Sequence, residues 1–245
     1  MDDLFDQQAD AKPLFAGKYP QRAHPGGHGH LIEVPDGELL YAPRYFSRKI
    51  SDRAFELLLA NDRYPALATD WRTADLAGIR WQTSHWRQDR INIFGRSVAL
   101  PRLTAWHGDD DRPYTFSGLT LQPQPWNKML AWLRDQLQAL TGVRFNSVLL
   151  NWYRDGGDHI SWHADDEPEL GTNPTIASVN FGASRRFLLR RADDHQEKIE
   201  LPLAHGSLLI MSGALQHHWQ HSVPKQKKVA ASRINMTFRY IQTQG

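Results

Sequence analysis

Cysteine is absent from the 245 residues. That excludes disulfides and thiolate metal sites, so any metal must be held by His, Asp or Glu, which favours a hard or borderline ion. The chain also lacks an apolar run of about 18 residues, the minimum for a membrane-spanning helix. Its acidic start, Met1-Asp2-Asp3, does not follow the charged-then-apolar plan of a signal peptide. A soluble, cytoplasmic protein with no membrane partner is expected. Neither sign of charge is in excess: a formal net charge of +2 is too small to announce nucleic-acid binding, so that reading depends on where the basic residues sit. Only two segments carry helical periodicity. Seventeen Gly and fourteen Pro divide the rest into short apolar runs, the pattern of strands and turns.

Residues 1–30 are polar, with Pro13, Pro20 and the run His24-Pro25-Gly26-Gly27-His28-Gly29-His30. This composition predicts a flexible tail, followed by one domain over 31–245. Short strands are expected at Leu31 to Val34 and Glu38 to Tyr41, and Ser51-Asp52 reads as the start of a helix. A second helix begins after Pro123 and Pro125, places Met129, Leu130, Leu133, Leu137 and Leu140 on one face, and ends at Gly142. From Phe145 onward eight strands are expected: Phe145 to Tyr153, His159 to Asp165, Thr175 to Phe181, Arg186 to Arg190, Lys198 to Leu201, Ser207 to Met211, His217 to Val223 and Ser232 to Ile241. The class is mainly β (α+β), and the architecture is a double-stranded β-helix, or jelly roll, with flanking helices. The space between its two sheets is a natural metal pocket.

Three polar stripes recur at strand spacing. In His163-Ala164-Asp165 an imidazole and a carboxylate two residues apart point to one side of a strand. Alone, such a pair is more often a polar surface feature. A third donor from Gln216-His217-His218-Trp219-Gln220-His221 completes the two-histidine, one-carboxylate set that holds non-haem Fe(II). His217 and His221 share a strand face in this reading, so spacing does not choose between them. Asn151 and Tyr153 form the second stripe. In the third, Arg233, Asn235, Thr237 and Arg239 alternate with Ile234, Met236, Phe238 and Tyr240. Either this is an edge strand with its polar face in water, or its two guanidinium forks, ~20 Å apart along an ideal strand, line the same cavity as the other stripes.

The motifs Asn151-Trp152-Tyr153, His163-Ala164-Asp165, His221-Ser222-Val223-Pro224 and Arg233-Ile234-Asn235-Met236-Thr237-Phe238-Arg239 together resemble the AlkB family of Fe(II)- and 2-oxoglutarate-dependent dioxygenases, which repair alkylated nucleic acid. The last is the most specific of them, and the match runs from about Phe94 to Tyr240. The resemblance implies a jelly-roll dioxygenase that uses Fe(II), 2-oxoglutarate and O2. It takes His163, Asp165 and His221 as the catalytic metal ligands. It assigns Arg233, Asn151 and Tyr153 to the distal carboxylate of 2-oxoglutarate, and places Asn235, Thr237 and Arg239 along the same co-substrate, with Asn235 and Arg239 near its iron-chelating end. Ala164, Trp152 and Gln220 depart from common family choices, which bears on substrate preference and not on the iron chemistry.

The implied substrate is DNA, double- or single-stranded, carrying N-alkylated bases of the 1-methyladenine and 3-methylcytosine type, with RNA as a further candidate. Such a base is flipped out of the stack, its alkyl group is hydroxylated, and formaldehyde is released. A nucleotide-recognition region is expected at about 80–120. There Phe94, beside Gly95 on a predicted hairpin turn, resembles the aromatic finger of the duplex-acting branch, and Phe116 resembles the residue that stacks on the flipped base. Tyr114 and Ser117 accompany it, while Asp166 and Glu167 resemble the acidic pair that meets the cationic lesion. Arg185, Arg186, Arg190 and Arg191, with Lys225, Lys227 and Lys228, are candidate phosphate contacts. The protein is expected to act as a monomer, nucleoid-associated if bacterial. Two other readings remain: an oxygenase of the same chemistry acting on RNA, protein or a small molecule, and a jelly-roll binding module without turnover.

Overall fold

A computed structural model describes residues 18–59, 84–93, 96–109, 114–116 and 119–242. Along the chain the strands are β1 (Gln21–Ala23), β2 (His30–Val34), β3 (Gly37–Ala42), β4 (Arg90–Ile93), β5 (Arg96–Ala99), β6 (Leu103–Gly108), β7 (Tyr114–Phe116) and β8 (Leu119–Leu121). Then come β9 (Ser147–Tyr153), β10 (Ile160–His163), β11 (Ile176–Gly182), β12 (Arg185–Arg191), β13 (Lys198–Leu203), β14 (Ser207–Ser212), β15 (Trp219–Val223) and β16 (Arg233–Arg239). Among the described residues three α-helices accompany them, α1 (Arg48–Leu59), α2 (Lys128–Thr141) and the single turn α3 (Leu215–His218), with a 3-10 turn at Pro168–Leu170. None of the described helices is long and apolar enough to cross a membrane.

Two antiparallel sheets form the jelly roll. The larger has the order β1-β2-β3-β14-β11-β16-β9-β6 and the smaller β10-β15-β12-β13. Alternation decides what each face of the large sheet buries. Val148 and Leu150 of β9, Ala177 and Val179 of β11, and Ile234, Met236 and Phe238 of β16 pack beneath Leu57 and Leu58 of α1 and Leu130, Leu133 and Leu137 of α2. The opposite face meets the small sheet, where Leu39, Tyr41, Leu209 and Met211 pack with Phe187, Leu189, Ile199 and Leu201. β16 lies between β11 and β9 and all seven of its residues are buried, so its polar stripe does not belong to a solvated edge strand. It faces the space between the sheets.

Local chemistry sets the helix limits. Asn127 caps α2 by accepting from the Leu130 N–H, and Gly142, at φ 69°, ends it in the left-handed region that glycine adopts without penalty. α1 starts earlier than Ser51-Asp52 suggests: Ser51 lies within the helix and its hydroxyl donates to the Ser47 carbonyl at 2.9 Å. The tail expected over 1–30 does not hold for residues 18–30. β1 pairs with β2, and Tyr19 is buried and bonded to Glu197, so apolar burial and a sheet partner organise 18–30; residues 1–17 lie outside the described residues.

His107 on β6 is a buried imidazole with both nitrogens engaged, one with the Pro125 carbonyl at 2.9 Å and the other with the Ser84 hydroxyl at 2.8 Å. The carbonyl can only accept, so Nδ1 carries the proton and Nε2 accepts. Burial lowers its pKa to about 4. An unfolded histidine titrates near 6.5, so the unfolded chain takes up the proton first, and the stability contributed by the neutral ring, complete above that value, is lost as pH falls toward 4. Between pH 7 and pH 5, the wild type should lose about 2 kcal/mol more unfolding free energy than His107→Gln. Urea denaturation at the two pH values measures this, and parallel losses in both proteins would refute it.

Candidate metal centre

β10 and β15 run antiparallel with His163 opposite His221, and cross-strand partners present their side chains on the same face. The imidazoles lie 4.2 Å apart between ring centroids. β10 ends at His163, so Asp165 sits just beyond the strand and not within it, as the predicted span to Asp165 had placed it. Its carboxylate still turns to the histidines, with Oδ1 4.0 Å from His163 Nε2. One ligand atom from each of His163, Asp165 and His221 lies within 4.8 Å of the others. His217 takes no part: the strand expected from His217 to Val223 begins at Trp219, and His217 stands exposed on α3. A helical turn ends the period-2 relation that gave the two histidines one face.

The donors are held in the protonation states a metal requires. Burial alone would raise the Asp165 pKa, but Arg239, His221 and His163 outweigh it and hold the carboxyl well below its usual range. Arg239 Nη2 donates to Asp165 Oδ2 at 2.7 Å. Burial lowers both imidazoles, His221 to about 3, so both are neutral at pH 7. His163 Nδ1 lies 2.8 Å from the Ser161 carbonyl; it must donate there, which leaves Nε2 with a free lone pair. Phe187 stacks on His221 at 5.3 Å, and His221 Nδ1 is buried with no hydrogen-bond partner among the described residues. Two neutral imidazoles and one ionised carboxylate, with no thiolate, fit a mononuclear non-haem iron site.

The cavity extends from this cluster along β9 and β16. Arg102, Asn151, Tyr153, Ser178, Arg233, Asn235, Thr237 and Arg239 line it together with the three donors. Arg233 is 1 % exposed. Its Nη2 donates to Asn180 Oδ1, its guanidinium lies 5.0 Å from the Tyr153 ring centre, and its Nε and Nη1 are buried without a hydrogen-bond partner among the described residues. Burial lowers its pKa to about 10, so it remains a cation. Buried donors of this kind fit a ligand carboxylate. Asn235 donates to Ser178 Oγ at 2.8 Å and accepts from the Thr237 hydroxyl at 3.1 Å.

Arg102 enters the cavity without having been singled out in the sequence. It is buried, and its Nε donates to Asn151 Oδ1 at 2.7 Å; the 49-residue separation leaves no local motif. Arg185 corrects the expectation of a phosphate contact. It is 1 % exposed and donates to the carbonyls of Asp155, Asp158 and Pro224 and to Gln226 Oε1, so it ties loops together from inside. Arg186 is paired with Glu200, and Arg191 with Asp36 and Asp193. Arg190 lies 4.3 Å from the Trp162 ring centre and donates twice to Gln220 Oε1. Lys225, Lys227 and Lys228 are exposed.

Of the residues expected to face the substrate, Asp166, next in sequence to Asp165, is exposed, while Glu167 is half-buried and its Oε2 has no hydrogen-bond partner among the described residues. Tyr114 and Phe116 fall on β7, which pairs with β8. Ser117 and Phe94 lie outside the described residues; the strands on either side of position 94, β4 and β5, pair with Ile93 opposite Arg96.

A jelly roll with two histidines and a carboxylate between its sheets, and a buried arginine with open donors further along the cavity, defines the mononuclear iron oxygenase class. Residues 64–239 match the 2OG-Fe(II) oxygenase superfamily, and the chain belongs to it. It is 48 % identical over 159 residues to the DNA oxidative demethylase ALKBH2 of Homo sapiens, covering 62 % of this chain and 61 % of that protein. It is 47 % identical over 150 residues to the Alpha-ketoglutarate-dependent dioxygenase alkB homolog 3 of Bos taurus (58 % and 52 %). With the DNA oxidative demethylase ALKBH2 of Arabidopsis thaliana it shares 37 % identity over 183 residues (64 % and 58 %). It therefore spans between half and two thirds of the length of each.

If the cluster is the metal centre, Co(II) titrated into the protein should bind the wild type and His217→Ala alike. Binding to His163→Ala, Asp165→Ala and His221→Ala should be lost or greatly weakened. Absorption spectroscopy reads the four variants side by side, and retention in His221→Ala with loss in His217→Ala would reverse the assignment.

Proposed function

We propose that the protein is an Fe(II)- and 2-oxoglutarate-dependent oxidative demethylase of N-alkylated bases in DNA, of the 1-methyladenine and 3-methylcytosine type. The observation that carries this reading is the cavity itself, with a three-donor metal cluster and the buried, incompletely bonded Arg233 on its wall. The match to an oxygenase superfamily supports turnover over a binding module. The similarity to proteins named DNA oxidative demethylase supports DNA over protein or a small molecule as substrate.

When bound, Fe(II) with 2-oxoglutarate and O2 supplies the oxidation that hydroxylates the N-linked methyl group, which then leaves as formaldehyde. The chain's own part is to bind and orient. In this reading Arg233, with Asn151 and Tyr153, holds the distal carboxylate of 2-oxoglutarate, and Thr237 lies along the same co-substrate. Arg239 and Asn235 serve the end nearer the metal, in keeping with the contact between Arg239 and Asp165. Asp166 and Glu167 offer negative charge to a cationic methylated base, and the buried Glu167 Oε2, without a partner among the described residues, is suited to a donor arriving on it. Removing the base from the stack costs a few kcal/mol, less where methylation already prevents pairing.

Removing one partner of a buried charged pair costs about 2 to 5 kcal/mol. Arg233→Ala should therefore raise the 2-oxoglutarate concentration needed for half-maximal formaldehyde release by tens-fold or more, and Arg239→Ala should act in the same direction. Unchanged 2-oxoglutarate dependence in both would remove the arginines from co-substrate binding.

Phe94 is read as the wedge that fills the gap left by the flipped base. Base stacking on an aromatic is worth about 1 to 3 kcal/mol, so Phe94→Ala should slow repair of a methylated duplex by roughly 5- to 150-fold. A single strand needs no wedge, and its repair should stay within a few-fold of wild type. Parallel assays on methylated duplex, single-stranded DNA and RNA oligonucleotides check this; an equal fall on duplex and single strand would return Phe94 to the core.

A further inference from the structure

Asp165 differs from the two histidines in how its backbone is supported. His163 and His221 are paired strand residues, whereas Asp165 lies past the end of β10, where no ladder bond is available. Its N–H donates instead to Gln216 Oε1 at 3.0 Å. Gln216 is 2 % exposed and belongs to α3, five residues ahead of His221, and its Nε2 donates to Met211 Sδ. Both ends of the amide are thereby engaged. Asp165 is held at two further points, since Oδ2 accepts from Arg239 while Oδ1 faces His163 Nε2.

We propose that Gln216 is a positioning residue for the metal centre: its buried amide substitutes for the missing ladder bond and fixes Asp165 so that Oδ1 is presented to the imidazoles. A carboxylate restrained through one oxygen can still pivot about its own side-chain bonds, and a loop backbone with an unbonded N–H can shift to find another acceptor. The amide closes the second freedom by fixing the backbone, so that the Arg239 contact at Oδ2 is enough to set where the carboxylate points. It also links the two ligand-bearing segments, because α3 leads directly into β15 and His221. Groups that orient metal ligands in this way typically change metal affinity by about 10- to 100-fold when removed. This inference rests on the metal-centre reading given above.

The test is Co(II) titration of the full chain, followed by visible absorption, on wild type, Gln216→Leu, Gln216→Asn, His217→Ala and His163→Ala. Gln216→Leu keeps a branched side chain of similar bulk, one bond shorter, and removes the acceptor. It should bind Co(II) about 10- to 100-fold more weakly, with an altered ligand-field spectrum and a melting temperature that shows it folded. Gln216→Asn, which withdraws the amide by one methylene, should lie between it and wild type. His217→Ala, on the same turn but exposed, should match wild type. A folded Gln216→Leu with wild-type affinity and spectrum overturns the proposal, as does equal weakening in His217→Ala, which would mean that any disturbance of α3 suffices. If Gln216→Leu does not fold, Gln216→Asn is judged by the same standard. Failure of wild type itself to bind Co(II) more tightly than His163→Ala would instead bring down the metal-centre reading, and this inference with it.

Discussion

The contact between Arg239 Nη2 and Asp165 Oδ2 is the interaction around which the site is arranged. It joins the end of the most enclosed strand to a residue 74 positions earlier, beyond the end of β10, with both side chains at or below 5 % exposure. Placing two charges out of water offsets most of their attraction, so such a pair adds little net stability, whereas removing one partner costs about 3 to 5 kcal/mol because the other is left buried and alone. What it contributes here is position and charge state. Asp165 stays ionised despite burial, and one of its two oxygens is committed, which leaves the other to the histidines.

The remaining charges follow from that arrangement. Burial is the main reason the two imidazoles stay neutral, and the charge of Arg239 adds a smaller push in the same direction. Neutral rings and an anionic carboxylate leave the cluster unsatisfied as it stands, and a divalent cation is the group that satisfies all three at once. Arg233 presents the same logic with the opposite sign. A guanidinium this buried, whose Nε and Nη1 have no acceptor among the described residues, calls for an anion. One cavity that asks for a cation and, along the same strand, for a carboxylate suits a metal chelated by a small dicarboxylate.

How far the sequence revealed this depended on whether a feature was local. The alternation in β16 was legible because a strand repeats every two residues, and the same periodicity placed Asn151 beside Tyr153. The jelly-roll class followed from the spacing of the eight later strands. Periodicity failed where the backbone left the strand: His217 falls on the turn α3, and Asp165 reaches the cluster from beyond the end of β10. Arg102 and Gln216 were not read as site residues because their partners, Asn151 and Asp165, are 49 and 51 residues away. Arg185 misled for a different reason. A run of arginines on a strand looks like a solvated face, yet alternation turns one of them inward, where backbone carbonyls from two loops surround it.

The placement of the site also divides the molecule's mechanical roles. In β16 the residues that pack against the helices alternate with those that line the cavity, so a slip of one position would expose Ile234, Met236 and Phe238 to the cavity and drive two arginines into the helix-packed core. The register that secures the core therefore secures the site, and β11 and β9, on its two sides, fix it from both directions. The proposed substrate-facing segments are built otherwise. β4 pairs with β5 and β7 with β8 as separate two-stranded ribbons outside the large sheet, and a two-stranded ribbon is marginal in water without a third strand or a covering layer. Holding the metal and co-substrate thus falls to the part of the fold least able to move, and under the proposed function contact with nucleic acid would fall to ribbons whose rearrangement leaves the core register intact.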